Sequence, residues 1–187
     1  MSGLFRHLPN LLTAMRVVCA PALAILLVSG ADRAALGVFA FAGLSDAADG
    51  YFAKRFGFAT RFGRYLDPVA DKLLMLAAFV ALTAMGFTPV WLAVLVIARD
   101  AAIMAGIALA HVLGLPLKIA PLSIGKWSTA VQVVYVGITL LLLAFDLHWS
   151  NLARLFAGLT AAVTVASWLA YGGILLKALA MHYRRTA

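Results

Sequence analysis

Four aspartates, Asp46, Asp49, Asp67 and Asp71, fall within the segment "SDAADGYFAKRFGFATRFGRYLDPVADK", Ser45–Lys72. They are four of only seven acidic residues in the chain, all of them Asp. On a helix, Asp46, Asp49, Gly50 and Ala53 stand at i, i+3, i+4 and i+7 and share one face. Asp67 and Asp71, at i and i+4, share another. If two such helices run antiparallel across the 54–64 loop, the four carboxylates converge. Anions gathered in a low dielectric do not all stay ionised unaided, because each is costly to desolvate and repels the others. Protons relieve the conflict, and so does a multivalent cation. Carboxylate oxygens suit hard cations such as Mg2+, Mn2+ or Ca2+. Mg2+ is commonly shared with substrate phosphates, so a phosphate-bearing partner would complete such a site.

The elements that must position these groups lie in an apolar chain. Its 187 residues are 65% hydrophobic with a mean hydropathy of +1.02, whereas soluble domains run to about 45–50% apolar. The composition indicates an integral membrane protein forming a single domain over 1–187. A helix crosses the hydrocarbon core with about 20 residues. Six segments fit: Leu11–Ser29, Ala34–Ala53, Leu66–Met85, Val90–His111, Trp127–Phe145 and Leu152–Leu176. Backbone in lipid must satisfy its own hydrogen bonds. The expected fold is therefore all-α, six transmembrane helices in one bundle. The run Leu11–Ser29 is 19 residues long and carries Arg16, which favours a retained span over a cleaved signal peptide.

Lys and Arg orient the bundle. One side collects Arg6, Lys54, Arg55, Arg61, Arg64, Lys118, Lys126, Lys177, Arg184 and Arg185, and the other only Arg33 and Arg154. The positive-inside rule then puts both termini and the 54–64 and 112–126 loops in the cytoplasm. The net charge of +8 fits this asymmetry and contact with anionic membrane lipids. No nucleic-acid motif is present, so no nucleic-acid partner is expected. Within this frame only Ala34–Leu44, 11 residues, is free of charge before Ser45 and Asp46. That is too short to cross, so the second span must continue through Asp46 and Asp49 to Ala53. The carboxylates then sit inside the cytoplasmic rim, where ionisable groups mark function by default.

Several neighbours are open to more than one use. Gly50 and Ala53 leave room for a ligand to approach the backbone, or for close helix packing. Lys54 is placed to meet a phosphate or to snorkel to the interface. Gly63 lies just before the third span, where it serves the site or breaks the loop. Asp67 before Pro68 also fits an N-cap with proline at the first helical position. That alternative leaves Asp71, one turn on, unexplained. Arg99 and Asp100 interrupt the fourth span, either as a structural ion pair or as part of a second pocket. Lys126, in "PLSIGKWSTAVQ" (Pro121–Gln132), is a topological anchor or a phosphate ligand. The one cysteine, Cys19, rules out a disulfide within the chain.

Asp46-x2-Asp49-Gly50-x2-Ala53-Lys54-x8-Gly63-x3-Asp67-x3-Asp71 resembles the signature of the CDP-alcohol phosphatidyltransferase family, Asp-x2-Asp-Gly-x2-Ala-Arg-x8-Gly-x3-Asp-x3-Asp. The departure is Lys54, where the family has Arg. "PNLLTAMR" (Pro9–Arg16) resembles the family's first helix, and the six-span count agrees. The resemblance implies attack by an acceptor hydroxyl on the β-phosphate of a CDP-linked lipid, with CMP leaving. It implies that Asp46, Asp49, Asp67 and Asp71 hold divalent metal, Mg2+ or Mn2+, with Asp71 also the catalytic base. Gly50, Ala53, Lys54 and Gly63 would line the nucleotide and diphosphate site. Lysine offers a point charge where arginine offers a fork.

For the acceptor, "ARD" (Ala98–Asp100) and "SIGKWSTAVQ" (Ser123–Gln132) are similar to the CMP-forming cardiolipin synthases of this family. That similarity implies CDP-diacylglycerol as donor and phosphatidylglycerol as acceptor. Glycerol 3-phosphate, the acceptor of phosphatidylglycerophosphate synthases, is the alternative. Arg16, Arg99, Asp100 and Lys126 are the candidates to bind it. The resemblance also implies a homodimer. The expected location is a bacterial cytoplasmic membrane with the active site facing the cytoplasm. A divalent-cation transporter is the rival from another class. Its carboxylates would recur through the membrane depth, whereas these four cluster near one side.

Overall fold

The computed structural model describes residues 2–56, 61–113, 123–147 and 150–186, the side chains at 2–13, 48–68, 111, 150, 178 and 181–186 excepted. Every regular element among them is a helix: α1 (Ser2–Val28), α2 (Asp32–Phe56), α3 (Arg61–Ala84), α4 (Val90–Val112), α5 (Ser123–Ala144) and α6 (Ser150–Thr186). The six expected segments each fall on one helix. The helices overrun the apolar segments, with α1 starting nine residues before Leu11 and α6 ending ten after Leu176. Hydropathy marks the apolar part of a helix, while hydrogen bonding carries the helix on into its polar flanks.

Three helix ends share one device. Gly30 and Gly86 have φ of +75° and +81°, and Asp146 has φ of +52°. In each case the left-handed residue donates its N–H to the carbonyl three back: Gly30 to Leu27, Gly86 to Thr83, Asp146 to Leu143. The residue after it donates to the carbonyl five back: Ala31 to Leu26, Phe87 to Leu82, Leu147 to Leu142. These are Schellman caps, which satisfy orphan carbonyls at the ends of α1, α3 and α5. Arg33, at the start of α2, adds an Nε–H bond of 3.1 Å to the carbonyl of Ala144 at the end of α5.

The chain forms two compact units. In the first, residues 1–88 with 136–149, α1 packs against both α2 and α3. Its core stripe on α1 is Arg16, Ala20, Leu23 and Leu27, and on α2 Ala35, Phe39, Ala42 and Ser45. On α3 it is Ala70, Leu74, Ala78 and Leu82, flanked by Met75 and Phe79. In the second unit, residues 89–135 with 150–187, α4 packs against α6.

Small and polar side chains share these interiors with leucine and phenylalanine, while other large apolar ones such as Val18, Ile25, Leu44, Val94, Val112, Leu155 and Leu169 are exposed. Large apolar groups on the outside suit helices bathed in lipid, where close approach of small residues aids packing. Among the described residues, α4, α5 and α6 are long and apolar enough to cross a membrane, and α1 contributes the shorter apolar helix Ala14–Val28.

Candidate active site

The turns at 28–32 and 84–90 leave Arg16, Asp46 and Asp71 toward the opposite end of the first unit, on three successive antiparallel helices. Arg16 belongs to the same α1 stripe as Ala20, Leu23 and Leu27, so the packing that buries those residues carries its guanidinium inward. It is 1% exposed, the largest fully buried side chain described. Its Nη1 lies 2.6 Å from Asp46 Oδ1 and 3.7 Å from Asp71 Oδ1. The shorter approach is a charge contact rather than an aligned hydrogen bond. One cation from α1 thus meets a carboxylate from α2 and another from α3. The two carboxylates remain about half exposed, at 51% and 45%.

Asp49, Gly50, Ala53 and Lys54 lie on α2, and Gly63 and Asp67 on α3; their side chains fall outside the described residues. The backbone still decides one question. Helix α3 begins at Arg61, so Asp67 stands inside the helix and not at its N-cap, and Pro68 is its eighth residue, at the start of the third turn. The capping alternative for Asp67 is therefore set aside.

Among the described residues no three His, Cys or acidic side chains gather closely enough to hold a metal ion. The pair that is described has the right chemistry for one: two open carboxylates whose oxygens approach a single point already occupied by positive charge. Oxygen donors of this kind suit a hard divalent cation.

The second unit holds a separate polar group. Arg99 is 4% exposed in the middle of α4. Its Nη1–H donates to Asp100 Oδ1 at 2.6 Å and its Nη2–H to Ser167 Oγ of α6 at 2.6 Å. Its guanidinium carbon lies 6.0 Å from the centre of the Tyr171 ring. The Arg99–Asp100 ion pair, one of the two readings open to these residues, is present, and it is anchored to α6. On α5, buried Gln132 donates to Ser128 Oγ and to Thr164 Oγ1 of α6, both at 3.3 Å. Lys126 lies exposed in the first turn of α5. Gly125 admits the Tyr171 hydroxyl so closely that an added Cβ would sit 2.7 Å from it.

Ser167, Tyr171 and Thr164 were not among the expected site residues, and Gln132 was noted only as the end of the Ser123–Gln132 segment. Their signal was there: Ser128 and Gln132 on α5, and Thr160, Thr164, Ser167 and Tyr171 on α6, recur at intervals of three and four, a polar stripe on otherwise apolar helices.

Known proteins resemble this chain along most of its length. The family model for CDP-alcohol phosphatidyltransferase matches residues 6–177, across both units. A Schizosaccharomyces pombe protein described as a cardiolipin synthase (CMP-forming) and mitochondrial hydrolase fusion is 32% identical over 181 residues, covering 88% of this chain and 30% of its own length. The Homo sapiens cardiolipin synthase (CMP-forming) is 32% identical over 180 residues, 88% of this chain and 60% of its own. A probable phosphatidylglycerophosphate synthase of Mycobacterium tuberculosis is 34% identical over 149 residues, 76% of this chain and 69% of its own. The chain thus spans less than two thirds of the length of both cardiolipin synthases. These matches favour the transferase over the cation transporter. With a family match from residue 6 to 177 and an acidic pair drawn together from α2 and α3, the chain belongs to the CDP-alcohol phosphatidyltransferase family of enzymes.

Proposed function

We propose that this chain, acting as one catalytic domain, transfers a phosphatidyl group from CDP-diacylglycerol to phosphatidylglycerol, giving cardiolipin and CMP. The observation that supports this most is the meeting of Asp46 and Asp71 at one guanidinium. It is the convergence of α2 and α3 that the signature requires. In this account an acceptor hydroxyl oxygen bonds to the β-phosphorus of the donor, and the bond from that phosphorus to the CMP oxygen breaks. Asp71 takes the hydroxyl proton. Lys54 contacts the diphosphate, while Gly50, Ala53 and Gly63 leave space for the nucleotide. Asp46, Asp49, Asp67 and Asp71 would hold Mg2+ or Mn2+, which when bound neutralises the diphosphate and eases the departure of CMP.

Arg99, Asp100 and Lys126 bind the acceptor in this account. A buried Arg99 set among polar side chains in an apolar helix suits a phosphate group reached from within the bilayer. Glycerol 3-phosphate remains the second reading, because phosphatidylglycerophosphate synthases are equally similar in identity. The site is proposed to face the cytoplasm from six membrane spans, in a homodimer, with a bacterial cytoplasmic membrane as its location.

The test is product identity. Purified protein with CDP-diacylglycerol and Mg2+ or Mn2+ is offered phosphatidylglycerol or glycerol 3-phosphate in separate reactions. Cardiolipin and CMP from the first arm are expected. Phosphatidylglycerophosphate from the second arm, with no cardiolipin from the first, would replace the proposal with its alternative.

A further inference from the structure

We infer that Arg16 is the resident counter-cation of the carboxylate cluster, holding Asp46 and Asp71 together before a divalent metal binds and competing with that metal for the same oxygens. The inference rests on the metal-dependent reading given above. Three observations carry it. The guanidinium is 1% exposed and sits at the end of a packed stripe, so its position is fixed by the α1 core rather than by solvent. Its Nη1 approaches carboxylates from two other helices, at 2.6 and 3.7 Å. Both carboxylates are about half exposed, so a cation can reach them while Arg16 stays beneath.

The charges then set two opposed effects. Without metal, removing Arg16 leaves two facing carboxylates with less compensation, and the fold loosens. With metal, Arg16 both occupies the oxygens and repels the incoming cation, so it weakens metal binding. By linkage these are one coupling: whatever Arg16 adds to the metal-free form it subtracts from metal affinity. A positioning residue of this kind keeps the site assembled yet lets metal exchange.

The experiment measures Mn2+ binding by electron paramagnetic resonance, and unfolding temperature in EDTA and in saturating Mn2+, for the full chain in detergent. Arg16→Gln is expected to bind Mn2+ roughly tenfold tighter, within the usual range of such couplings. Its unfolding temperature should fall below that of wild type in EDTA, and the gap should close in Mn2+. Unchanged or weaker Mn2+ binding, with an equal fall in both conditions, would make Arg16 a plain structural residue and overturn the inference. So would a raised acceptor KM with unaltered Mn2+ affinity, which would assign Arg16 to the acceptor. If Arg16→Gln does not survive purification, Arg16→Lys carries the test: a shorter cation should let Mn2+ bind a few-fold tighter, and unchanged affinity overturns the inference. Wild-type protein that binds no Mn2+ defeats the metal reading itself, whereas wild-type binding that Arg16 variants leave unmoved defeats this inference alone.

Discussion

At the scale of single residues, each proposed side chain does something that its nearest substitute cannot. Asp71→Asn keeps shape and loses the basic oxygen. CMP release should fall by about 10²- to 10⁴-fold, the usual contribution of a positioned base. The protein should elute and unfold like wild type; full activity in that variant would remove Asp71 from the chemistry. Lys54 tests a different atom set. Lys54→Arg restores the fork that planar recognition of phosphate favours, so the KM for CDP-diacylglycerol should hold or improve. Lys54→Ala should raise it by roughly tenfold, the worth of a charge-assisted hydrogen bond. Normal donor affinity in the alanine variant would break the proposed contact.

The residue scale also shows why Arg16 was hard to place from sequence. One arginine in an apolar helix fits several partners, and only its register with Ala20, Leu23 and Leu27 sends it into the core. Asp46 and Asp71 were legible because their spacing within a recognisable signature constrained both helices at once.

At the scale of elements, caps and close approaches decide where helices stop and how near they come. Asp146 holds a left-handed conformation that Gly30 and Gly86 adopt without a Cβ. Asp146→Gly should therefore stabilise the protein, by about 0.5–1 kcal/mol, read as a higher unfolding temperature in detergent. An unchanged or lower temperature would show that the Asp side chain repays its strain. Gly125 makes the opposite case. Gly125→Ala drives a methyl group into the Tyr171 hydroxyl and should cost about 1–3 kcal/mol, as overpacking does. Because Tyr171 stands beside Arg99, the acceptor KM should rise while the donor KM stays near wild type. Equal changes in both would separate Tyr171 from the acceptor.

The breakers at Gly30 and Gly86 made helix ends readable to within a few residues. The start of α3 was less legible, because Pro68 reads as a first-turn residue although the helix begins at Arg61. The polar stripe shared by α5 and α6 went unread because serine, threonine and glutamine carry no charge to draw the eye, yet burial makes their hydrogen bonds matter.

At the scale of the whole molecule, composition alone set the class: an apolar chain with its few acids concentrated near one edge. The distribution of lysine and arginine predicts the proposed orientation, and thiol labelling tests it. In a Cys19→Ser background, Ala59→Cys and Ala120→Cys should react with a membrane-impermeant thiol reagent from the cytoplasmic side, and Ser29→Cys and Ser150→Cys from the other. The reverse pattern would invert the bundle and move the site across the membrane. The all-helical architecture was legible because lipid admits few backbone solutions. The acceptor was not, because a phosphate on a lipid and a phosphate on a small polyol call for similar cations.

In the proposed mechanism α2 and α3 pool their carboxylates into one metal-holding centre. Mn2+ affinity of wild type, Asp46→Asn and Asp71→Asn, measured on folded protein in detergent, bears on it most directly. Both variants should bind Mn2+ at least about tenfold more weakly, as loss of one charged ligand from a shared site requires, and both should lose CMP release in parallel. Wild-type Mn2+ affinity in either variant would contradict a shared centre.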